Sequence, residues 1–254
     1  MEAGAIEKPR RRVRRLPQDH TDPARCHVLV EEPSLSGSLC GARLVAAQRA
    51  CVAPVISLAR HREEPRELNM AQADIGLLVI EGKLIRHVYC GSLSAAELVG
   101  PGDLIRPHHP DRPVPQMQID ATWQVVEAAR LAILDFEFAK RSEPFPEITC
   151  ALTGKLIERS HALSAHMAIV QERRVSERLL KLLWFLASRW GTVNPSGATL
   201  RLQCTHSILA ELVAATRPSV TLGLQELESA GELSRDGATW LLHQPPSRRL
   251  KRIT

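Results

Sequence analysis

Residues 205–228 constrain this chain most. They read Thr-His-Ser-Ile-Leu-Ala-Glu-Leu-Val, two alanines, then Thr-Arg-Pro-Ser-Val-Thr-Leu-Gly-Leu-Gln-Glu-Leu-Glu. The Thr205 hydroxyl is suited to accept from the free N–H groups of a first helical turn. Ile208, Leu209, Leu212 and Val213 then give a short helix one apolar face. Ala214 and Ala215 make a tight corner. Thr216 caps a second helix whose first turn holds Pro218, where a missing N–H does no harm. At about 100° per residue, Val220, Leu224 and Leu227 cluster on one side of that helix. Pro218, Thr221, Leu222, Gln225 and Ser229 lie on the other, with Arg217 at the N-terminal flank. A short helix, a tight turn and a helix with a polar outer face fit a helix-turn-helix. Glu232–Arg235, the turn Asp236-Gly237 and Ala238–His243 read as a two-stranded wing, since Asp-Gly between short strands is a strong hairpin signal. The alternative for the two helices is an ordinary hairpin inside a helical core.

The DNA reading assigns roles by chemistry. Arg217 is the guanidinium able to lie bidentate on guanine O6 and N7, and Leu222 offers apolar contact suited to a thymine methyl. Thr221 and Gln225 supply the remaining polar reach, Pro218 makes no side-chain hydrogen bond, and Thr205, Thr216 and Ser219 are placed for the phosphate backbone.

This stretch resembles the DNA-binding end of the Crp–Fnr family of bacterial transcription regulators, in Thr205-His-x-x-Leu-Ala-x-Leu-Val, Thr216-Arg-Pro-Ser-Val-Thr and Leu224-x-x-Leu-Glu-x-x-Gly231. In well-known members the position after the arginine is often Glu and the fifth after it often Arg. Here they are Pro218 and Leu222.

Upstream, residues 36–145 hold short apolar runs between Gly and Pro turns. A helix is expected over 38–50 and a strand over Val52–Leu58, followed by a charged loop over 61–69. Ile75–Ile80 and Lys83–Tyr89 read as a hairpin around Glu81-Gly82, with further strands at Ala95–Val99, Leu104-Ile105, Ala121–Val126 and Ala129–Leu134. Such spacing suggests a closed or double-layered β-structure. The marks Gly76-Leu-Leu-Val-Ile-x-Gly82, Leu98-x-Gly-Pro-Gly-Asp-Leu104 and Ala129-Arg-Leu-Ala-Ile-Leu-Asp135 resemble the cyclic-nucleotide-binding-like β-roll of the same family. Cyclic-nucleotide-binding members hold the cyclic phosphate with a Gly-Glu turn and an Arg-Ser/Thr pair. Here the segment after Asp103 has neither and is rich in Pro, which removes donor N–H groups. Cyclic nucleotide binding is therefore not expected, and any small-molecule effector is unknown. His108 and His109 on that Pro-rich segment read as solvated surface, and no metal site is expected.

A helix over 147–173 would be about 40 Å long at ~1.5 Å per residue. Ile148, Leu152, Leu156, Leu163, Met167 and Val170 recur along it at sevens and fours, a seam for a parallel coiled coil with a second copy. In the family this is the dimerisation helix, and helix-turn-helix proteins commonly read two half-sites as two-fold dimers. The other possibility is a helix lying on its own domain. Ser176 would cap the next helix, with Leu179, Leu182, Leu183, Leu186 and Trp190 on one face and Gly191 at its end, before a turn over 193–197 and a strand over Thr199–Leu202.

Charge is uneven. Of the formal +5, the first fifteen residues carry a net +4 and the last eight, with Arg248, Arg249, Lys251 and Arg252, another +4, leaving −3 for the rest. The basic N-terminal stretch reads as a solvated tail. The C-terminal cluster follows the wing, where weak phosphate contact is plausible. No apolar run is long enough for a membrane span or signal peptide, so a cytoplasmic location is expected. The six cysteines form no CxxC pair. Some family members hold an iron–sulfur cluster on closely spaced N-terminal cysteines. The spacings of 14 and 11 residues between Cys26, Cys40 and Cys51 do not resemble that, and structural thiols are expected.

The expected class is α+β, in five parts: a disordered basic tail over 1–35; a double-stranded β-helix (β-roll, jelly-roll-like) sensor domain over 36–145; a dimerisation helix over 146–173; a winged helix-turn-helix over 174–246; and a basic tail over 247–254. The expected function is a dimeric, sequence-specific transcription regulator with double-stranded DNA as partner. The resemblance adds RNA polymerase. No catalytic motif, cofactor or metal is expected. The competing readings are a β-barrel enzyme or ligand-binding protein with an accessory DNA module, and a sequence-independent nucleoid binder.

Overall fold

The computed structural model describes residues 24–61, 63–71, 73–106 and 119–243. The chain runs β1 (Arg25–His27), α1 (Val28–Glu31), a 3-10 turn (Pro33–Ser36), α2 (Gly41–Ala50), β2 (Val52–Leu58), α3 (Arg66–Met70), β3 (Gly76–Cys90), β4 (Leu93–Val99), β5 (Leu104–Ile105) and β6 (Ile119–Leu134). Then follow α4 (Phe136–Ser142), α5 (Pro146–Val170), α6 (Val175–Trp190), β7 (Thr192–Asn194), β8 (Gly197–Arg201), α7 (His206–Leu212), α8 (Arg217–Ser229), β9 (Leu233–Asp236) and β10 (Thr239–Leu242).

The first sheet is antiparallel, in the order β1-β2-β6-β3-β4, with β5 also on β3. Its described strands are not closed into a barrel. Two long strands replace the expected short ones. β3 pairs with β6 from Gly76↔Leu134 to Cys90↔Ile119, so Glu81-Gly82 is no reversal and residues 121–134 are one strand. The glycine signal there marks a bulge: the register shifts around Glu81 and Lys83, and Gly82 takes φ +82°. A Cβ at Gly82 would stand 2.1 Å from Ala128 O, which is why no side chain fits.

Part of the presumed N-terminal tail is built into this domain. β1 pairs with β2, and Val28, Leu29 and Leu35 are fully buried beside Phe138, Ile148 and Leu152. Burying those three apolar side chains offsets the ordering cost of residues 24–36 that their charged neighbours obscure in the sequence. The basic residues 8–15, the Pro-rich segment with His108 and His109, and the C-terminal basic cluster lie outside the described residues. The expected loop over 61–69 contains the start of α3, whose Leu68 is buried.

The helix α6 begins at Val175, with Arg174 and not Ser176 at its cap. Gly191 ends it, donating its N–H to Ala187 O at 2.8 Å. The wing is larger than the expected hairpin: β7-β8-β10-β9 form a four-stranded antiparallel sheet. Trp240 is fully buried beneath it, with Nε1–H donating to Leu202 O at 3.1 Å.

The two domains share one apolar core. Ile85, Leu98 and Val126 of the first sheet pack with Leu179, Leu183 and Leu209 of the helical domain. Polar links flank that core. Lys83 Nζ lies 2.7 Å from Glu127 Oε2 and donates to Arg201 O at 3.4 Å. Glu127 Oε1 accepts the Gln203 N–H at 2.9 Å. His87 lies 3.1 Å from Glu211, and His166 Nε2 donates to Leu212 O at 2.7 Å. At the far end of α6, Arg189 pairs with Asp103 at 2.5 Å while Asp103 Oδ2 accepts the Gly100 N–H at 2.9 Å. Burial holds the Asp103 carboxyl above its ordinary pKa, with Arg189 and that N–H pulling the other way.

Candidate nucleic-acid interface

The caps form as their residue types require. Thr205 Oγ1 accepts the Ile208 N–H at 3.2 Å, and Thr216 Oγ1 accepts the Ser219 N–H at 3.3 Å, with Ser219 Oγ 2.8 Å away. Pro218 sits in the first turn of α8. The corner between α7 and α8 places Ala214 at φ +49°, the one non-glycine residue with positive φ among the described residues. Arg178 of α6 holds that corner, its Nη1 donating to Val213 O at 3.0 Å and Ala214 O at 3.1 Å. The Ala215 N–H closes it by donating to Ala210 O at 2.9 Å. Sequence reading missed this clamp because Arg178 lies 36 residues from Ala214.

α8 turns Val220, Leu224 and Leu227 inward, all buried. Gly223 is buried too, against α6: a Cβ there would stand 3.1 Å from Leu179 Cδ1 and 3.2 Å from the Ser176 nitrogen. Glycine thus lets α8 lie close on the start of α6, a requirement nothing local in the sequence signals. Arg217, Pro218 and Gln225 are exposed, and Leu222 is 58% exposed despite its apolar side chain. Thr221 differs from the expectation of free polar reach. Its hydroxyl donates to Arg217 O at 3.1 Å and lies 2.9 Å from His206 Nδ1, so it ties α8 to α7.

Arg217 borders an open cleft of about 1030 Å³ whose other walls include His206 and Glu211 of α7 and Arg60, His61 and Glu63 of the β-domain. Arg235 of the wing lies over Trp240 at 4.5 Å to the ring centroid, and its Nε donates to Gly237 O at 2.9 Å. Arg217 lines the larger cleft and Arg235 a smaller adjoining one, and Thr205 and His206 border both.

The long helix α5 spans 25 residues. Leu152 is buried in the chain's own core beside Ile148 and Phe145, so it is not free for a second helix; the rim of the β-domain covers the first turns of α5. Leu163 is half-buried between α5, Leu98 and α6, and Val170 is half-buried at the helix end. Leu156, Ile157 and Met167 stand 51%, 52% and 68% exposed. Leu156, Ile157 and Met167 therefore stand most open among the large apolar side chains of α5, with Leu163 and Val170 partly covered.

Among the described residues, no group of three or more His, Cys, Asp or Glu is gathered as metal ligands would be. No helix there is long and apolar enough to cross a membrane. Cys26, Cys51 and Cys204 are buried, as structural thiols should be, while Cys40 and Cys150 are exposed. Burial pushes the Cys51 thiol up to about 11 and Cys204 to about 12.

Residues 174–247 match the family model of the Crp-like helix-turn-helix domain. A putative HTH-type transcriptional regulator, ycf28 of Porphyra purpurea, is 25% identical over 124 residues, covering 47% of this chain and 52% of that protein. The regulatory protein CysR of Synechococcus elongatus is 28% identical over 116 residues, covering 39% of this chain and 56% of CysR. The chain thus spans about half the length of the curated relatives it matches. A cyclic nucleotide-binding domain containing protein from Listeria monocytogenes superimposes with a TM-score of 0.58 at 16% identity, over 75% of this chain and 89% of that one. FixK2 from Bradyrhizobium japonicum does so at 0.54 and 16% identity, over 77% and 94%. Residues 174–247 thus match a Crp-like helix-turn-helix domain, and the chain shares the overall fold of these two solved structures.

Proposed function

We propose that the protein is a sequence-specific DNA-binding transcription regulator, acting in the cytoplasm without catalytic activity. The observation that carries this is the division of α8. One face is buried against α6 and α7, while Arg217, Pro218, Leu222 and Gln225 stay exposed on a helix-turn-helix scaffold. An exposed leucine at the centre of a recognition helix has an apolar partner in the major groove, the thymine methyl. In this reading Arg217 takes a guanine and Gln225 a further base edge. Thr205, Thr216 and Ser219 meet phosphates, and Thr221 fixes the helix that presents them.

The regulator works as a homodimer through α5, with Leu156, Ile157 and Met167 in the seam and Val170 at its end, and reads a two-fold symmetric operator. RNA polymerase is its partner at promoters, and an effector acting on the β-domain changes the docking of the two domains. Selection of bound duplexes from a random library tests the reading. It predicts a palindromic consensus, each half keeping one G·C pair next to a thymine. Enrichment of no sequence, with affinity set by salt alone, would overturn it in favour of a nonspecific binder.

A further inference from the structure

The cleft beside Arg217 has a wall that the helix-turn-helix does not supply. Arg60 follows β2 in the β-domain, yet borders both this cleft and an adjoining one of about 330 Å³ toward the wing. The larger cleft holds the carboxylates of Glu63 and Glu211, the latter 3.1 Å from His87, and is ill suited to a free anion. The smaller one is lined by no carboxylate; its charged or titratable groups are Arg60, Arg235, His206 and the buried Cys204. Arg60 is exposed, and Nη1 donates to Gln203 Oε1 at 3.3 Å. Gln203 also donates its N–H to Glu127, so the same short segment before α7 ties Arg60 and the β-sheet to the DNA-binding side.

We propose that Arg60, together with Arg235 and His206, receives one backbone phosphate of bound duplex DNA, making the β-domain part of the DNA interface. The inference rests on the DNA-binding reading above. A guanidinium matches phosphate geometry with two parallel N–H donors, and a phosphate contact carries no sequence information. Its removal weakens all sequences alike and lowers the salt slope. Because Arg60 belongs to one domain and its co-ligands to the other, DNA affinity also reports whether the domains are docked.

The test measures equilibrium binding of the full chain to a selected duplex and to a scrambled duplex across a salt series. Wild type, Arg60→Ala, Arg60→Lys and Arg217→Ala are compared. Arg60→Ala should weaken both duplexes by the same factor, roughly 3–10-fold near physiological salt, and lower the slope by about 1. Arg60→Lys keeps the charge and should keep the slope. If Arg60→Ala leaves affinity and slope unchanged while Arg217→Ala lowers affinity for the selected duplex, the phosphate contact is refuted and the DNA-binding reading stands. A loss confined to one base pair would also refute the phosphate assignment. If wild type binds neither duplex, both the phosphate contact and the DNA-binding reading fall; if it binds both alike, only sequence specificity falls and the Arg60 comparison still decides the phosphate contact.

Discussion

Glu127 ties the two domains through both of its carboxylate oxygens. Its Oε2 lies 2.7 Å from Lys83 Nζ and its Oε1 accepts the Gln203 N–H at 2.9 Å. Among the described residues Lys83 has one other acceptor, Arg201 O, at the long distance of 3.4 Å. Glu127→Ala therefore leaves an ammonium whose side chain is 10% exposed with a single poor acceptor, and removes the protein acceptor of the exposed Gln203 N–H. Breaking a buried pair from one side costs about 3–5 kcal/mol. With Glu127 itself 20% exposed, water reaches the site, and the lower end, about 3 kcal/mol, is expected. The double change Lys83→Met, Glu127→Leu removes both charges and should recover most of that loss. Urea unfolding followed by tryptophan fluorescence measures all three variants. A loss below about 1 kcal/mol for Glu127→Ala, or no recovery in the double variant, would refute the network as the tie between the domains.

Other consequences follow from burial and exposure. Leu156→Asp with Met167→Asp puts charges into the proposed seam at side chains 51% and 68% exposed, so light scattering should read monomers with an unchanged circular dichroism spectrum; a wild type already monomeric at micromolar concentration would end the dimer reading. Cys40 and Cys150 should react rapidly with a thiol reagent near pH 8, while Cys26, Cys51 and Cys204 react only on unfolding, because burial keeps their thiols protonated; mass mapping of the labelled sites checks this. Asp103, with its folded pKa raised chiefly by burial, favours the fold while protonated and loses that contribution as pH rises through the folded pKa. The stability of wild type relative to Asp103→Asn should accordingly fall with rising pH across the carboxylate range, and a rise would contradict the burial account.

What could be read from the sequence was what local chemistry determines. Thr205 and Thr216 cap their helices, Pro218 sits in a first turn, and Val220, Leu224 and Leu227 face inward, because caps and helical periodicity act within a few residues. What failed depended on distant partners. Glu81-Gly82 looks like a hairpin turn until β6 is seen pairing on both sides of it. Residues 24–36 look like tail until Leu29 and Leu35 find the core that Phe138 and Leu152 complete. Leu152 belongs to the apolar stripe of α5, but the β-domain covers it first. The Arg178 clamp, the close approach at Gly223 and the Lys83–Glu127–Gln203 link join residues many positions apart, and no periodicity announces them.

The central claim is that α8 reads bases through Arg217. Binding to every single-base variant of the selected operator, at fixed salt, measured for wild type and Arg217→Ala, tests it most directly. The account predicts that wild type loses about 1–3 kcal/mol when one G·C pair per half-site is changed, and that Arg217→Ala loses this preference at that pair while keeping the others. A preference profile identical in the two proteins would contradict the account and remove Arg217 from base reading.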